Sequence, residues 1–109
     1  MKYYILNYNE KPKMAADARA FFIRVKPKYK SDRGLLEHEK THVRQWIFTL
    51  GLHSLLYFFS SKYKLYSEIQ AYREQLKWYS KDNTELFATY ICERYNLKAD
   101  KEEVLKRLS

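Results

Sequence analysis

Residues 34 to 50, with the sequence GLLEHEKTHVRQWIFTL, decide how the rest of the chain is interpreted. Apolar side chains recur through this stretch at helical spacing, and charged side chains fall largely on another face. The apolar positions are Leu35, Leu36, Val43, Trp46, Ile47 and Leu50, and the charged ones are Glu37, Lys40 and Arg44. The pattern predicts a long amphipathic helix, for which Asp32 is the expected N-cap.

Inside this helix His38, Glu39 and His42 form an H-E-x-x-H motif. Four residues make slightly more than one helical turn, so both imidazoles project from one face and can bind the same cation. Imidazole nitrogen suits zinc, which takes such ligands at about 2.0 to 2.1 Å. Glu39 lies beside the metal rather than on it. It can take a proton from a water molecule on the metal, whose pKa zinc lowers to about 7.

A catalytic zinc needs a third protein ligand, and the chain offers several candidates. If the helix ran unbroken, His53 would lie roughly 16 Å from His42 along the axis, too far to share one ion. His53 can take part only if Gly51 bends the chain sharply back, so we expect a partly buried histidine there. Glu68 is better placed, because a second helix has room to return beside the first. Glu74, deeper in that second helix, is the next candidate.

The motif together with residues 67 to 72, SEIQAY, resembles the gluzincins. These are thermolysin-like zinc peptidases in which H-E-x-x-H is followed on a second helix by a ligand glutamate. The resemblance implies that His38, His42 and Glu68 bind one zinc ion per chain and that Glu39 is the general base. The chain also resembles small zincin-fold proteins of bacteria and their viruses.

The resemblance covers roughly residues 20 to 75 and implies further features of the site. The small Ala71, one turn after Glu68, would let the two helices approach closely. Tyr72 stands where these families often carry an aspartate that orients a ligand histidine, so another group, such as a backbone carbonyl, must do this here. The Tyr72 hydroxyl is instead a candidate donor to the oxyanion of a tetrahedral intermediate.

Two strands are expected before the motif. Residues 2 to 8 are β-branched and aromatic, and residues 20 to 26 alternate, with Phe21, Ile23 and Val25 on one face. Residues 9 to 19 are expected to form a loop with at most one helical turn. By the resemblance, the strand at 20 to 26 would be the sheet edge on which an extended peptide lies. Basic side chains would flank that cleft and favour acidic substrates, or simply form a solvated edge; they are Arg24, Lys26, Lys28 and Lys30.

Three further helices are expected after the motif, over residues 65 to 79, residues 82 to 95 and from about residue 100. Capping boxes at Asp82 with Glu85, and at Asp100 with Glu103, mark the last two starts. The uncharged run from 46 to 61 is shorter than the roughly 20 residues that span a bilayer. It is expected to be a buried helical segment with a break near Gly51. The prediction is one small zincin-like α+β domain over residues 1 to 109, with two strands and then four helices.

Composition leaves three classes of function open. The chain has 109 residues with a formal net charge of +8 and 17% aromatic residues, which also suits a nucleic-acid-binding module. A third hypothesis is an inactive zincin-fold interaction protein whose positive surface recruits a protein partner. The favoured hypothesis is a zinc metallopeptidase acting on peptides or proteins, either slow and narrowly directed or with a protein partner that completes its cleft. A single cysteine, no signal-like start and no membrane span lead us to expect a cytoplasmic protein.

Overall fold

The computed structural model describes residues 3–95, 97 and 99–109 and has an α+β fold, as predicted. Within these residues the sheet has three strands rather than two, and five helices follow rather than four. The strands are β1 (Ile5–Tyr8), β2 (Ala16–Arg19) and β3 (Phe22–Val25). The helices are α1 (Arg33–Phe48), α2 (His53–Phe59), α3 (Ser61–Leu76), α4 (Asn83–Arg94) and α5 (Lys101–Leu108). Residue 2 of the predicted first strand lies outside the described residues.

The order of the strands corrects two predictions. Residues 16 to 19, expected in a loop, form β2 and pair antiparallel with β3, while β1 pairs parallel with β3. The strand at 20 to 26 is therefore the centre of the sheet, and the expectation that it forms the substrate edge is wrong. Ile23 and Val25 are buried as predicted. Phe21 instead lies in the turn between β2 and β3, with 37% of its surface exposed.

Helix α1 begins and ends close to the predicted positions. The Asp32 carboxylate accepts a hydrogen bond from the Leu35 backbone N–H at 3.0 Å, which confirms the N-cap. The predicted break is confirmed as well, because α1 ends before Gly51, whose φ of +87° turns the chain into α2. The predicted burial of this segment is wrong, since none of the residues of α2 is buried.

Helices α1 and α3 pack closely along their length. Ala71 of α3 is fully buried, consistent with the close approach expected there. A Cβ added to Gly34 of α1 would lie 2.7 Å from the Tyr79 ring and 3.0 Å from the Gln75 carbonyl oxygen. Only a glycine fits at position 34 without moving α3 or the residues that follow it.

The last two helices complete the fold behind α3. Asp100 caps α5 by accepting a hydrogen bond from the Glu102 backbone N–H, as expected of a cap. Asp82 has helical backbone angles and makes no capping bond, so the capping box predicted for α4 is wrong. Within the described part of the chain, none of the helices is long and apolar enough to cross a bilayer.

The core is divided into two apolar clusters with a polar layer at the α1–α3 interface. One cluster joins the sheet to α1 and the other joins α3, α4 and α5. The first contains Ala16, Ile23, Val25 and Val43, and the second contains Ile69, Tyr72, Phe87, Ala88, Ile91, Leu97, Val104 and Leu108. The buried polar side chains belong to α1 and α3; they are His38, Glu39, Thr41, Gln45, Ser67, Glu68 and Gln75. Polar groups are buried in proteins when they have partners or a function, so this layer is the candidate site.

Candidate metal centre

The structure brings the three predicted ligands together. His38 and His42 project from one face of α1, and Glu68 faces them from α3. One ligand atom of each residue lies within 4.8 Å of the others, and the Glu68 side chain is only 2% exposed. The group could therefore hold a metal ion. Glu74, the alternative carboxylate, is instead paired with Lys77 at 3.0 Å on the surface.

The distances within the group are longer than those of charged hydrogen bonds. Glu68 Oε1 lies 3.4 Å from His38 Nε2 and 3.3 Å from His42 Nε2. Charged N–H···O hydrogen bonds are about 2.7 to 2.9 Å long, so both contacts are too long. Oε1 is also buried without a hydrogen-bond partner. A buried carboxylate oxygen without a partner is costly, and a bound cation would remove that cost.

Side-chain amides, rather than the suggested backbone carbonyl, orient the imidazole of His38. Its Nδ1 lies 2.9 Å from Gln75 Oε1, which can only accept, so Nδ1 carries the proton and Nε2 keeps its lone pair. Gln75 in turn donates to the Tyr79 hydroxyl, which donates to the Asp32 carboxylate. Asp32, the N-cap of α1, is thereby connected to His38 through two side chains, those of Tyr79 and Gln75.

Gln45 orients His42 in the same manner. The amide nitrogen of Gln45 donates to Gln70 Oε1 and to the Ser67 carbonyl oxygen, so its Oε1 faces His42. His42 Nδ1 donates to that Oε1 at 3.0 Å, which again leaves Nε2 free to bind a cation. Such partners fix the ring orientation and the tautomer of a metal ligand.

Electrostatics favour positive charge at the centre. Burial alone would lower the pKa of His42, but the Glu68 carboxylate outweighs it and raises that pKa to about 9. Burial likewise acts to raise the pKa of Glu68, and the two histidines reverse this and hold it well below its ordinary value. Without a metal ion, a proton on His42 would therefore compensate Glu68. A metal ion has to displace that proton.

Glu39 lies beside the ligands and faces the cleft. Its side chain is buried, and within the described residues it makes no hydrogen bond or ion pair. Burial raises its pKa, against the lowering effect of His38 and His42. A carboxylate with a raised pKa and a free oxygen next to a cation site is suited to accept a proton from water.

Two residues at the site were not predicted, and both lie on α2. The Tyr57 hydroxyl donates to Glu68 Oε2, which leaves Oε1 as the oxygen directed at the histidines. His53, expected outside the site, is brought back by the bend at Gly51, and its ring centre lies 5.9 Å from that of His42. His53 is not one of the three clustered ligands, and its Nδ1 is bonded to the Tyr63 hydroxyl at 2.7 Å. The break near Gly51 was the sequence signal for His53, and the position of Tyr57 one turn after His53 is the signal that could have indicated Tyr57.

Tyr72 is near the centre, but its hydroxyl is engaged elsewhere. The ring packs edge-on against His38 at 4.4 Å, and the hydroxyl bonds to that of Tyr95 at 3.0 Å. Burial raises the pKa of Tyr72, so the hydroxyl stays protonated. Tyr95, rather than Tyr72, is the tyrosine of this pair that lines the cleft on both sides.

The cleft has two lobes that meet at His38 and Glu39. One lobe of about 520 Å³ lies between β2 and α2, and a second of about 720 Å³ runs toward α4. Strand β2 lies at the edge of the sheet and lines the first lobe. The centre is thus open to a molecule that passes over Glu39 from one lobe to the other.

The predicted basic flank is only partly at the cleft. Lys26 lines the second lobe, whereas Arg24 is paired with Asp17 across the β2–β3 ladder. The ammonium groups of Lys28 and Lys30 stack over tyrosine rings, at 5.2 Å and 5.1 Å from the ring centres.

Comparisons with known proteins found no family model, no curated protein and no solved structure that matches this chain. The resemblance to gluzincins therefore stays a prediction that depends on the motif and on the geometry of these residues.

Proposed function

We propose that this chain is a small zinc metallopeptidase in which His38, His42 and Glu68 bind the metal. The observation that carries the proposal is the spacing of the three ligand atoms. Ligands at about 2.0 to 2.1 Å around a tetrahedral zinc stand roughly 3.3 Å apart. The two distances from Glu68 Oε1, 3.4 Å and 3.3 Å, match that value. Two imidazoles and one carboxylate are also the ligand set of many catalytic zinc sites.

Glu39 is the proposed general base. A zinc ion at this centre would polarise a substrate carbonyl and lower the pKa of a water molecule. Glu39 takes a proton from that water as it attacks the amide carbon, and then passes the proton to the leaving nitrogen. Its buried position and raised pKa support this role, because the carboxyl group must bind and release a proton near neutral pH.

Two residues of α2, Tyr57 and His53, also have proposed roles at the centre. Tyr57 keeps Oε2 of Glu68 occupied, so Glu68 presents a single oxygen. His53 lines the same lobe, and its pKa is lowered to about 4 by burial and by His42, so the ring is neutral at physiological pH. Because Nδ1 of His53 is bonded to Tyr63, Nε2 is the ring nitrogen available to the oxyanion of the intermediate.

An extended peptide is the proposed substrate. The unpaired edge of β2 can hydrogen-bond to a peptide backbone, the role first assigned to residues 20 to 26. The second lobe carries Lys13, Lys26 and Arg94. Its acidic Asp32 is already bonded to Tyr79 and Leu35, so an acidic substrate side chain meets mainly cations there.

Cleavage of a fluorogenic peptide library by the zinc-loaded protein tests this function. Glu39→Gln should abolish cleavage and leave zinc binding intact, because Glu39 is not a ligand. Glu37→Gln is the matched control, since Glu37 lies on the same helix but is paired with Lys40 and is not part of the ligand group. Cleavage by Glu39→Gln at the rate of the control would refute the mechanism. Zinc binding without cleavage of any peptide by the unsubstituted protein would favour the inactive zincin-fold hypothesis.

A further inference from the structure

Large apolar side chains project from the molecule beside the cleft and form what we call the apolar rim. They come from the β2–β3 turn, the end of α1 and α2: Phe21, Phe22, Phe48, Leu50, Leu52, Leu55, Phe58 and Phe59. Leu50 is 92% exposed, and Phe48, Phe58 and Phe59 are 83 to 84% exposed. Single exposed apolar residues are normal, whereas a connected group marks an interaction site.

Trp46 connects the two turns of the rim. Its ring centre lies 6.0 Å from that of Phe21 in the β2–β3 turn. A Cβ built on Gly51, in the turn after α1, would also have the Trp46 ring as its nearest neighbour, at 3.5 Å. The β2–β3 turn and the turn after α1 therefore approach each other at Trp46, and Phe58 of α2 lines the same lobe of the cleft as Arg19 and Ala20 of the β2–β3 turn region.

The backbone conformation of two residues in the rim shows that stability of the fold does not account for the residue types found there. Among the described residues, positive φ outside glycine occurs at Ala20 and Leu50, with values of 52° and 54°. Both lie in the turns of the rim. Glycine or asparagine adopts this conformation more readily than leucine does. Leu50 thus has an unfavourable backbone conformation and an almost fully exposed side chain, so neither local structure nor the core accounts for a leucine.

The segments that carry the rim are rich in lysine and arginine. Residues 40 to 67 include four lysines and arginines and no aspartate or glutamate, and of these Lys40 is paired with Glu37. Residues 18 to 31 include five lysines and arginines and again no acid, and of these Arg24 is paired with Asp17. Lys62 follows Phe59 closely, is exposed, and has no acidic partner among the described residues. An anionic partner is therefore favoured.

We infer that the apolar rim docks on an anionic lipid bilayer. Phenylalanine and leucine side chains enter the boundary between headgroups and acyl chains, while Lys62 and Arg19 lie at the level of the lipid phosphates. A folded protein would need a surface shaped to match these strongly projecting side chains, whereas acyl chains adapt to any shape. A second copy of this chain is disfavoured, because two cationic rims repel each other.

The two faces of α2 relate this surface to the cleft. His53 and Tyr57 lie one turn apart and line the first lobe, whereas Leu55 and Phe59, also one turn apart, are exposed. A docked rim would place the opening of the cleft at the membrane surface. The inference does not rest on the proposed peptidase activity and can be tested without it.

Sedimentation of the full chain with lipid vesicles tests the inference. Vesicles of phosphatidylcholine with added phosphatidylglycerol should bind the protein, vesicles of phosphatidylcholine alone should bind it poorly, and salt should weaken binding. Leu50→Asn combined with Phe59→Ser should weaken binding at least about tenfold, because two large apolar side chains are lost. Trp78→Ser is the control: Trp78 is 51% exposed but lies beyond the opposite end of α3.

A second measurement separates loss of docking from loss of the fold. Leu50→Asn alone should keep or raise the thermal midpoint, because asparagine tolerates positive φ, while it weakens vesicle binding. Lys62→Glu should weaken binding to anionic vesicles. Absence of binding to anionic vesicles, or equal binding by the double variant, would overturn the inference. Concentration-dependent dimers in light scattering that the double variant abolishes would also overturn it, since the rim would then be covered by a second copy.

Discussion

The α1–α3 interface and the apolar rim distribute polar and apolar side chains in opposite ways. At the interface, His38, Glu39 and Glu68 are buried side by side. At the rim, Leu50 and Phe59 are more than 80% exposed (92% and 84%). Gly51 lies within the rim and turns the chain from α1, which carries two of these interface residues, into α2.

The two regions differ in what offsets the free-energy cost of burying polar side chains and of exposing apolar ones. At the interface, the Nδ1 atoms of both histidines donate hydrogen bonds to the side-chain oxygens of Gln75 and Gln45, and a cation would satisfy Glu68 Oε1. No comparable partner covers the rim within the described residues. Burial of polar groups is thus compensated inside the molecule, whereas exposure of apolar groups requires something outside it.

Loss of a metal-binding side chain should have the largest effect, a fall in zinc affinity. Glu68→Gln removes the charge and the oxygen that faces both histidines, so zinc affinity should fall by more than about 100-fold, beyond what the loss of an orienting group causes. Competition with a chromogenic chelator measures this. Glu74→Gln, on the exposed side of the same helix, should bind zinc as the unsubstituted protein does. Equal affinities of the two variants would remove Glu68 from the site.

Loss of an orienting amide should have the next largest effect. Gln75→Leu keeps the volume but leaves Nδ1 of His38 without an acceptor, so zinc affinity should fall about 10- to 100-fold. Gln70→Leu provides the comparison, because Gln70 contacts Gln45 rather than a histidine, and its effect should be smaller. If Gln75→Leu bound zinc normally in the same chelator competition, the orienting role assigned to this amide would be wrong.

A rise in pH above neutrality should lower the stability of the metal-free chain, whereas it should raise the zinc affinity. The pKa of His42 is about 9 in the fold against 6.5 when unfolded, so its contribution to stability is complete below pH 6.5 and lost as pH rises through 9. The lowered pKa of Glu68 makes its contribution complete above its ordinary value of 4.5 and lost as pH falls.

The metal-free chain should therefore be most stable between these limits. Urea unfolding at about pH 6 and about pH 9.5 should give the lower midpoint at the higher pH. Zinc affinity, in contrast, should rise about tenfold per pH unit up to the pKa of His42, because binding displaces its proton. A metal-free protein that became more stable from the lower to the higher of those two pH values would contradict the raised pKa of His42.

The smallest expected effect is on the free energy of unfolding, when one glycine at the interface and one at the rim are each replaced by alanine. Gly34→Ala places a Cβ against Gln75 and Tyr79 of the interface, and the strain should lower the free energy of unfolding by about 1 to 3 kcal/mol. At Gly51 an added Cβ has ordinary contacts, so Gly51→Ala should cost about 1 to 2 kcal/mol through its positive φ alone. Only Gly34→Ala should also reduce zinc affinity. Urea unfolding and chelator competition check both variants.

The sequence predicted the parts of the site that depend on local spacing. His38, Glu39 and His42 share one helix, so the 3.6-residue period alone places both imidazoles on one face. Glu68 required a second helix to return beside the first, which the family resemblance supplied. Gln75 could not be predicted, because its contact with His38 depends on the exact approach of α3, which Gly34 allows.

The errors in the predicted fold also arose where the structure depends on contacts with distant parts of the chain. Residues 16 to 19, ADAR, lack β-branched and aromatic side chains, and they form β2 because β3 offers a partner. Residues 53 to 59 were expected to be buried because they are apolar. Burial depends on what surrounds a helix, and the pattern of an apolar run does not report it. Tyr57 was missed and His53 was placed outside the site, because a bend at Gly51 sharp enough to bring both to the cleft was not expected.

X-ray absorption at the zinc edge of the zinc-loaded protein tests the central claim most directly. The account predicts one zinc per chain with two imidazole nitrogens and a carboxylate oxygen at about 2.0 to 2.1 Å, in a four-coordinate shell. Glu68→Gln should lose this spectrum, and Glu39→Gln should retain it. A shell with a sulfur atom at about 2.3 Å, which the single cysteine, Cys92, or a methionine would have to supply, would contradict the account. A shell of oxygen atoms alone, or no retained zinc, would contradict it equally.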